Sequence, residues 1–301
     1  MTRRVLPGKA GWQLWYDVQI PRIAKKLKAG LVMMTGGVTA KTTLPQCVWM
    51  PERADPIQGR AYPLYSGRLT ETLPRAEALL CYSDHDREWL SRRDEQAAGK
   101  LVVVHPSADA SAGPLSMGDR EEAKAEFAQG REYFLADASA AKEEELIHLL
   151  KAFSLFKKRQ HSNLQLVIRG VHDEEMQKKL ETYKYREDVH WRLPAGAGNH
   201  RLMGAAYAGI FLFEGNSLGE TVLDAWKSGV PVIGNGEGPL GGEAILSAGD
   251  ADPGSLAAQL MSVYKDEELR RRLIGLGFAR VADFSSGRTV DAVRSVISRS
   301  V

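Results

Sequence analysis

Short apolar runs alternate with longer stretches of helical period from one end of the chain to the other. "GLVMM" (30–34), "PQCVWM" (45–50), "ALLCYS" (78–83) and "KLVVVHP" (100–106) have strand length and end in turn-forming residues. Between them, "PRIAKKLKAG" and "SDHDREWLSRRDEQAAG" read as helices, with Pro21 suited to a first turn and Ser83 or Asp84 to a cap. The stretch 106–123 is rich in Ser, Ala, Gly and Pro and reads as an interdomain linker. Beyond it come a helix over 119–129, the strand "REYFLAD" (131–137) and a long helix, "KEEELIHLLKAFSLFKKRQ". On that helix Leu146, Leu149, Leu150, Phe153 and Phe156 share one face at spacings of three and four.

The second half continues in the same alternation. "NLQLVIRG", "DVHWRLP", "AGIFLF" and "PVIG" read as strands. "DEEMQKKLETYKY", "NHRLMGAAY" and residues 220–228 read as helices. Two further helices span "DPGSLAAQLMSVYKDEELRRRLIGLGFARVADF", and a last one covers 286–300. Strand–helix alternation of this kind predicts parallel sheets with crossover helices, arranged as two α/β domains. In open α/β sheets a ligand sits beyond the carboxyl ends of the strands, so the site is expected in a cleft between the two.

Composition narrows the class. The chain has 301 residues, is 44% hydrophobic and 26% charged, and carries a formal charge of +2. Such a balance forces no basic surface and argues against nucleic acid as a partner. Cys47 and Cys81 lie in apolar runs and read as buried, reduced thiols. The opening "MTRRVLPGKAGWQ" lacks an apolar signal segment, and no run reaches the roughly 20 apolar residues of a membrane span. A cytoplasmic location follows as the expectation, with peripheral membrane contact through a basic helix left open.

Candidate chemistry centres on "FEGNSLGETVLDAWKSGVPVIGNG" (213–236), which reads as strand, glycine-containing turn, helix N-terminus and strand. A helix N-terminus offers unpaired N–H groups and a positive dipole end to a phosphate. His85 in "SDHDRE" does not have the spacing of a metal set and is explained by a helix start. Trp12, Trp15 and Trp49 read as packing residues rather than a sugar-stacking platform, and "KKLK" and "FKKRQ" as solvated helix faces.

The segments "GAAYAGIFLF…SLGETVLDAWKSGVPVI" and "DPGSLAAQLMSVYKDEELRRRLIGLGFARVADFS" resemble the family 4 glycosyltransferases. The likeness reaches "LLKAFSLFKKRQHSNLQLVIRG" and, more weakly, "YSDHDREWL…KLVVVHPSAD". That resemblance implies a GT-B-like α/β fold, with two Rossmann-like domains whose parallel sheets face a cleft. It implies a shortened N-terminal, acceptor-side lobe over 1–112 and a nucleotide-sugar-side lobe over 113–285. A C-terminal helix, 286–301, crosses back to the first lobe. It also implies sugar transfer from a nucleotide donor with retention, with no metal or other cofactor. The donor would meet Leu218, Gly219, Glu220 and Thr221 at the helix N-terminus. The family's E-x7-E acids, which contact the donor sugar and the ribose, fall on Asn216 and Asp224.

Departures from the family pattern are as informative as the matches. Glu143 and Glu144 stand where the family has its Arg/Lys phosphate clamp, with Lys142 beside them as the substitute. Ala138 replaces the usual loop glycine, Pro51 the usual histidine, and Glu220 adds a negative charge. For Asp224 and Lys142 a solvated helix residue is the competing reading, and for Asn216 a turn-supporting one. Apolar and glycine positions persist while charged site positions change together, which favours a degenerate homologue acting in binding or scaffolding. The alternative is an active retaining glycosyltransferase. No catalytic residue is assigned. A shortened first lobe would leave Trp12, Trp15, Ile20 and Ile23 on a surface that meets a second copy or a protein partner; the rival reading is that this segment folds back and caps its own sheet.

Overall fold

The computed structural model describes residues 14–35, 41–50, 74–93, 95–138, 143–170, 174–192, 199–211, 220–234, 242–249 and 252–300. They divide into two units, one of Met1–His105 with Gly287–Val301, the other Pro106–Ser286.

In unit 1 a π-helical turn, Trp15–Gln19, runs into α1 (Ile20–Leu27), with Pro21 in its first turn. Lys28 ends α1 in the left-handed conformation, its N–H returning to the carbonyls of Ala24 and Lys25. Strands β1 (Val32–Thr35), β2 (Gln46–Trp49), β3 (Ala78–Cys81) and β4 (Leu101–Val103) pair in parallel in that order. Helices α2 (Asp84–Arg93) and α3 (Glu95–Ala98) connect β3 to β4. Ser83 caps α2: its hydroxyl accepts from the Asp86 N–H at 3.0 Å and donates to the Asp86 carboxylate at 2.6 Å. One sheet face buries Val48, Leu79 and Cys81 with Tyr16, Ala97 and Leu90. On the other, Cys47, Leu80 and Val104 pack against Val296 of the C-terminal helix, Ser286–Ser300. That helix is pinned at both ends: Thr289 donates to the His105 carbonyl at 2.9 Å, and Ser300 Oγ lies 3.4 Å from Cys47 Sγ. Both cysteines are buried free thiols, and burial with the Asp86 charge pushes Cys81 up to about 12.

Unit 2 opens with α4 (Met117–Ala128), capped by Ser116, which accepts from the Asp119 N–H at 3.1 Å. There follow β5 (Tyr133–Asp137), α5 (Glu143–Gln160), β6 (Gln165–Arg169), α6 (Glu174–Glu181), β7 (Val189–Arg192) and α7 (Asn199–Gly204). The chain then forms β8 (Ala208–Phe211), α8 (Glu220–Lys227), β9 (Val232–Gly234), β10 (Ile245–Ser247), α9 (Pro253–Lys265) and α10 (Glu267–Val281). All six strands are parallel, in the order β10-β9-β8-β5-β6-β7. The chain winds outward from β5 through β6 to β7, then returns to β8 on the other side. The order therefore reverses between β5 and β8.

Alternate residues of these strands feed two cores. Phe134, Ala136, Leu166, Ile168 and Ile210 meet the apolar stripe of α5, including the expected Leu146, Leu149, Leu150, Phe153 and Phe156. Tyr133, Leu135, Val167, Phe211 and Val232 meet α4, α7 and α8. Trp226 is the largest fully buried side chain, its indole N–H donating to the Ala244 carbonyl at 3.2 Å.

Two boundaries differ from those read in the sequence. Residues 106–116 are held by unit 2 rather than bridging as a free linker. Ala112 is buried, and Asp109 and Ala110 are tied to α8 through Asp224 and Lys227. The division consequently falls at His105–Pro106, before residue 112. The short edge strand β10 lay unread in a glycine-rich stretch, because three residues are too few to carry a period.

Candidate functional site

The strand order reverses between β5 and β8, so the carboxyl ends of β6, β5 and β8 lie side by side at one edge of the unit 2 sheet, and the first turn of α8 reaches the end of β6. Asp137 ends β5 and Arg169 ends β6, directly opposite each other in the register. Gly170 follows at once, and a Cβ there would come within 2.9 Å of the Ala138 carbonyl group. Only glycine lets the two strand ends approach this closely. Asp137 and Arg169 are 2% and 8% exposed, and they form an ion pair through Arg169 Nη2 and Asp137 Oδ2. The same Nη2 lies 3.2 Å from Thr221 Oγ1, in the first turn of α8. Arg169 Nε is buried and has no hydrogen-bond partner among the described residues.

Along α8, Thr221, Asp224 and Lys227 recur every three residues, while Val222, Leu223, Ala225 and Trp226 face the core. Asp224 Oδ1 accepts from the Asp109 N–H at 2.7 Å, and Lys227 Nζ donates to the Asp109 carbonyl at 2.6 Å and that of Ala110 at 3.4 Å. Burial first, and the Asp109 charge after it, raise the Asp224 carboxyl above its ordinary value. The Asp109 N–H, Arg169 and Lys227 act in the opposite direction. Asp109 itself is lowered by the hydroxyl and N–H of Ser111, which donate to it at 2.6 and 2.7 Å.

Of the residues singled out in the sequence, Thr221 and Asp224 come together here. Glu220 is the first residue of α8. Asn216, Leu218, Gly219 and Lys142 lie outside the described residues. Glu143 opens α5 and is paired with Lys179 of α6, and Glu144 is exposed. Pairing with Lys179 accounts for the Glu143 charge locally. Sequence reasoning passed over Asp137 and Arg169. Their signal was present: strands buried on both faces read as unbroken apolar runs, so a charge closing "YFLAD" and an opposite one closing "QLVIR" are out of place. Among the described residues no group of three or more His, Cys, Asp or Glu is placed to hold a metal, and no helix is long and apolar enough to cross a membrane.

A doubly wound parallel sheet with a helix N-terminus at its switch point defines the class of Rossmann-like ligand-binding units. The chain belongs to the family of glycosyl transferases group 1, whose pattern matches residues 118–277, more than half of its length. None of the curated proteins matches it in sequence. Among solved structures it is similar to the pneumococcal O-GlcNAc transferase GtfA, in complex with UDP and GlcNAc. The TM-score is 0.67 at 15% identity, over 93% of this chain and 59% of that one. It is similar to a glycosyltransferase from Rickettsia africae, with a TM-score of 0.71 at 12% identity, over 100% of this chain and 84% of that one. Anabaena HepE, in complex with UDP and glucose, gives a TM-score of 0.73 at 10% identity, over 98% of this chain and 83% of that one. The fold is that of the GT-B glycosyltransferases.

Proposed function

We propose that the chain is a retaining-type, family 4 homologue that keeps the shell of a nucleotide-sugar site without its turnover, and acts by binding. Unit 2 is the nucleotide side and unit 1 the acceptor side. The observation that carries this reading is charge at the first turn of α8. A departing nucleoside diphosphate accumulates negative charge and needs net positive groups close to it. Among the described residues the cation that reaches Thr221 is Arg169, and Asp137 compensates it within the same buried pair. Asp224, at the position of the family's ribose acid, already accepts from the Asp109 backbone.

Loss of two charge-assisted hydrogen bonds, each contributing about 1.5–3 kcal/mol, weakens a nucleoside diphosphate by about two to four decades. Millimolar binding of UDP and GDP is the expected result. Release of UDP from UDP-glucose or UDP-GlcNAc is expected to stay at the uncatalysed rate, and turnover above it contradicts the reading. The alternative, an active retaining transferase with an unidentified acceptor, draws support from the two UDP-bearing neighbours and from the presence of Arg169 and Asp224 in one cluster.

A binding role also draws on unit 1. Leu14, Trp15, Ile23 and Leu27 are exposed on its first helical stretch, and Ile20 is half-buried; Trp12 lies outside the described residues. Exposed apolar groups clustered on one helix mark contact surfaces. A second copy of the chain or a protein partner, in the cytoplasm or at a membrane surface, is the proposed occupant. Sedimentation over a wide concentration range tests the self-association arm, and a monomer throughout removes it.

A further inference from the structure

We propose that Arg169 is the diphosphate ligand of unit 2, supplied by the end of β6 in place of a clamp from the loop after β5, and that Asp137 sets its strength. The inference rests on the reading of unit 2 as the nucleotide side. Three observations converge on it. Arg169 closes the apolar run Leu166–Ile168, at the carboxyl edge beside the switch point, where this sheet class binds ligands. Its guanidinium touches the first turn of α8, an eight-residue helix whose leading N–H groups have no partner within the helix. The side chain is nine-tenths buried, yet its Nε lacks a partner among the described residues, and an arginine fork with an unused donor in a buried place is out of balance.

A purely structural ion pair does not account for this arrangement. Replacing a buried pair by apolar residues is often neutral or stabilising, so such a pair is poor evidence of a stability role. Thr221 adds a hydroxyl to the group, and the α8 dipole adds positive potential at the same point. An anion seated there meets Arg169 and the α8 N–H groups together. Asp137 lowers the net charge of the pair and so weakens that seat without removing it. The pair works as a set resistance: neutral overall, but with donors left over.

Titration of the full chain with UDP, uridine and inorganic pyrophosphate, followed by calorimetry or ligand-observed NMR, tests the proposal. Asp137→Asn keeps shape and removes the opposing charge; it also breaks the buried pair, so its melting is measured before titration. It is expected to tighten UDP and pyrophosphate by about tenfold, with uridine unchanged. Arg169→Gln alone breaks the buried pair, so the doubly neutral Asp137→Asn/Arg169→Gln chain is the partner test. It is expected to melt within a few degrees of the wild type and to lose its response to UDP and pyrophosphate. Arg169→Lys in the Asp137→Asn background should restore part of the binding, because a point charge replaces the fork. The proposal is overturned if the double variant folds and binds UDP as the wild type does. It is also overturned if Asp137→Asn shows no gain, or if uridine binds as well as UDP. These outcomes differ from failure of the non-catalytic reading, which shows as micromolar UDP binding or sugar-nucleotide turnover by the wild-type chain.

Discussion

The two parallel sheets of this chain end in different chemistry. At the carboxyl edge of unit 2, β5 and β6 close with the buried pair Asp137–Arg169. At the matching edge of unit 1, β2 and β3 close with Trp49 and Cys81, and the Trp49 ring sits 5.3 Å from that of Tyr82. Both sheets are built by the same rule, apolar strands covered by helices. At the unit 1 edge the buried charge is Asp86, just beyond β3, held by the Ser83 hydroxyl rather than by an arginine. The unit 2 pair instead sets two opposite charges on adjacent strand ends, at the edge where sheets of this class bind ligands.

The sharpest way to break this comparison is to unbalance the pair. Arg169→Gln breaks the buried pair by removing one partner and is expected to cost about 3–5 kcal/mol in denaturant unfolding. The neutral pair with Asp137→Asn should recover most of that. A fully stable single variant contradicts the burial on which the site rests. Packing comes next. Gly277 faces Trp226, where an added Cβ would lie 2.6 Å from the indole, so Gly277→Ala should overpack unit 2 by about 1–3 kcal/mol. The same assay on Gly99→Ala, where a Cβ meets nothing, supplies the unit 1 control. Caps are smaller: Ser83→Ala in unit 1 and Asp252→Ala in unit 2 should each cost about 1 kcal/mol.

The smallest expected effect is one of pH. The Asp224 carboxyl is raised in the folded chain, chiefly by burial. Its contribution to stability is therefore present below the ordinary carboxylate range and is lost as pH rises through the raised value. Asp224→Asn keeps an acceptor for the Asp109 N–H and removes that loss. Its stability relative to wild type should rise from acid to neutral pH, and a flat difference across that range contradicts the assigned direction.

The fold was legible because its signals are local and repeated. The stripe from Leu146 to Phe156, the turn-bounded strands and the order of strand and helix survive into the structure; some ends shift further, the helix read over 173–185 ending at Glu181, and the one read over 83–99 is two, α2 and α3. What escaped has physical reasons. The β10 strand is too short to show a period. Residues 106–116 look like a linker by composition, but two side chains distant in sequence, Asp224 and Lys227, hold them to α8. Arg169 and Asp137 lie at strand ends, outside the positions that the family resemblance marks for its clamp. Their meaning appears only when register sets them opposite each other and the crossover brings Thr221 to the same place.

The central claim is that unit 2 retains the place of a nucleoside diphosphate while its cation is held at neutral balance by Asp137. The measurement that bears on it most directly is a calorimetric titration of the wild-type chain with UDP and with GDP at moderate salt. The account predicts millimolar dissociation constants for both. A micromolar constant for either would contradict it, because the buried pair would then not be limiting the charge offered to the ligand.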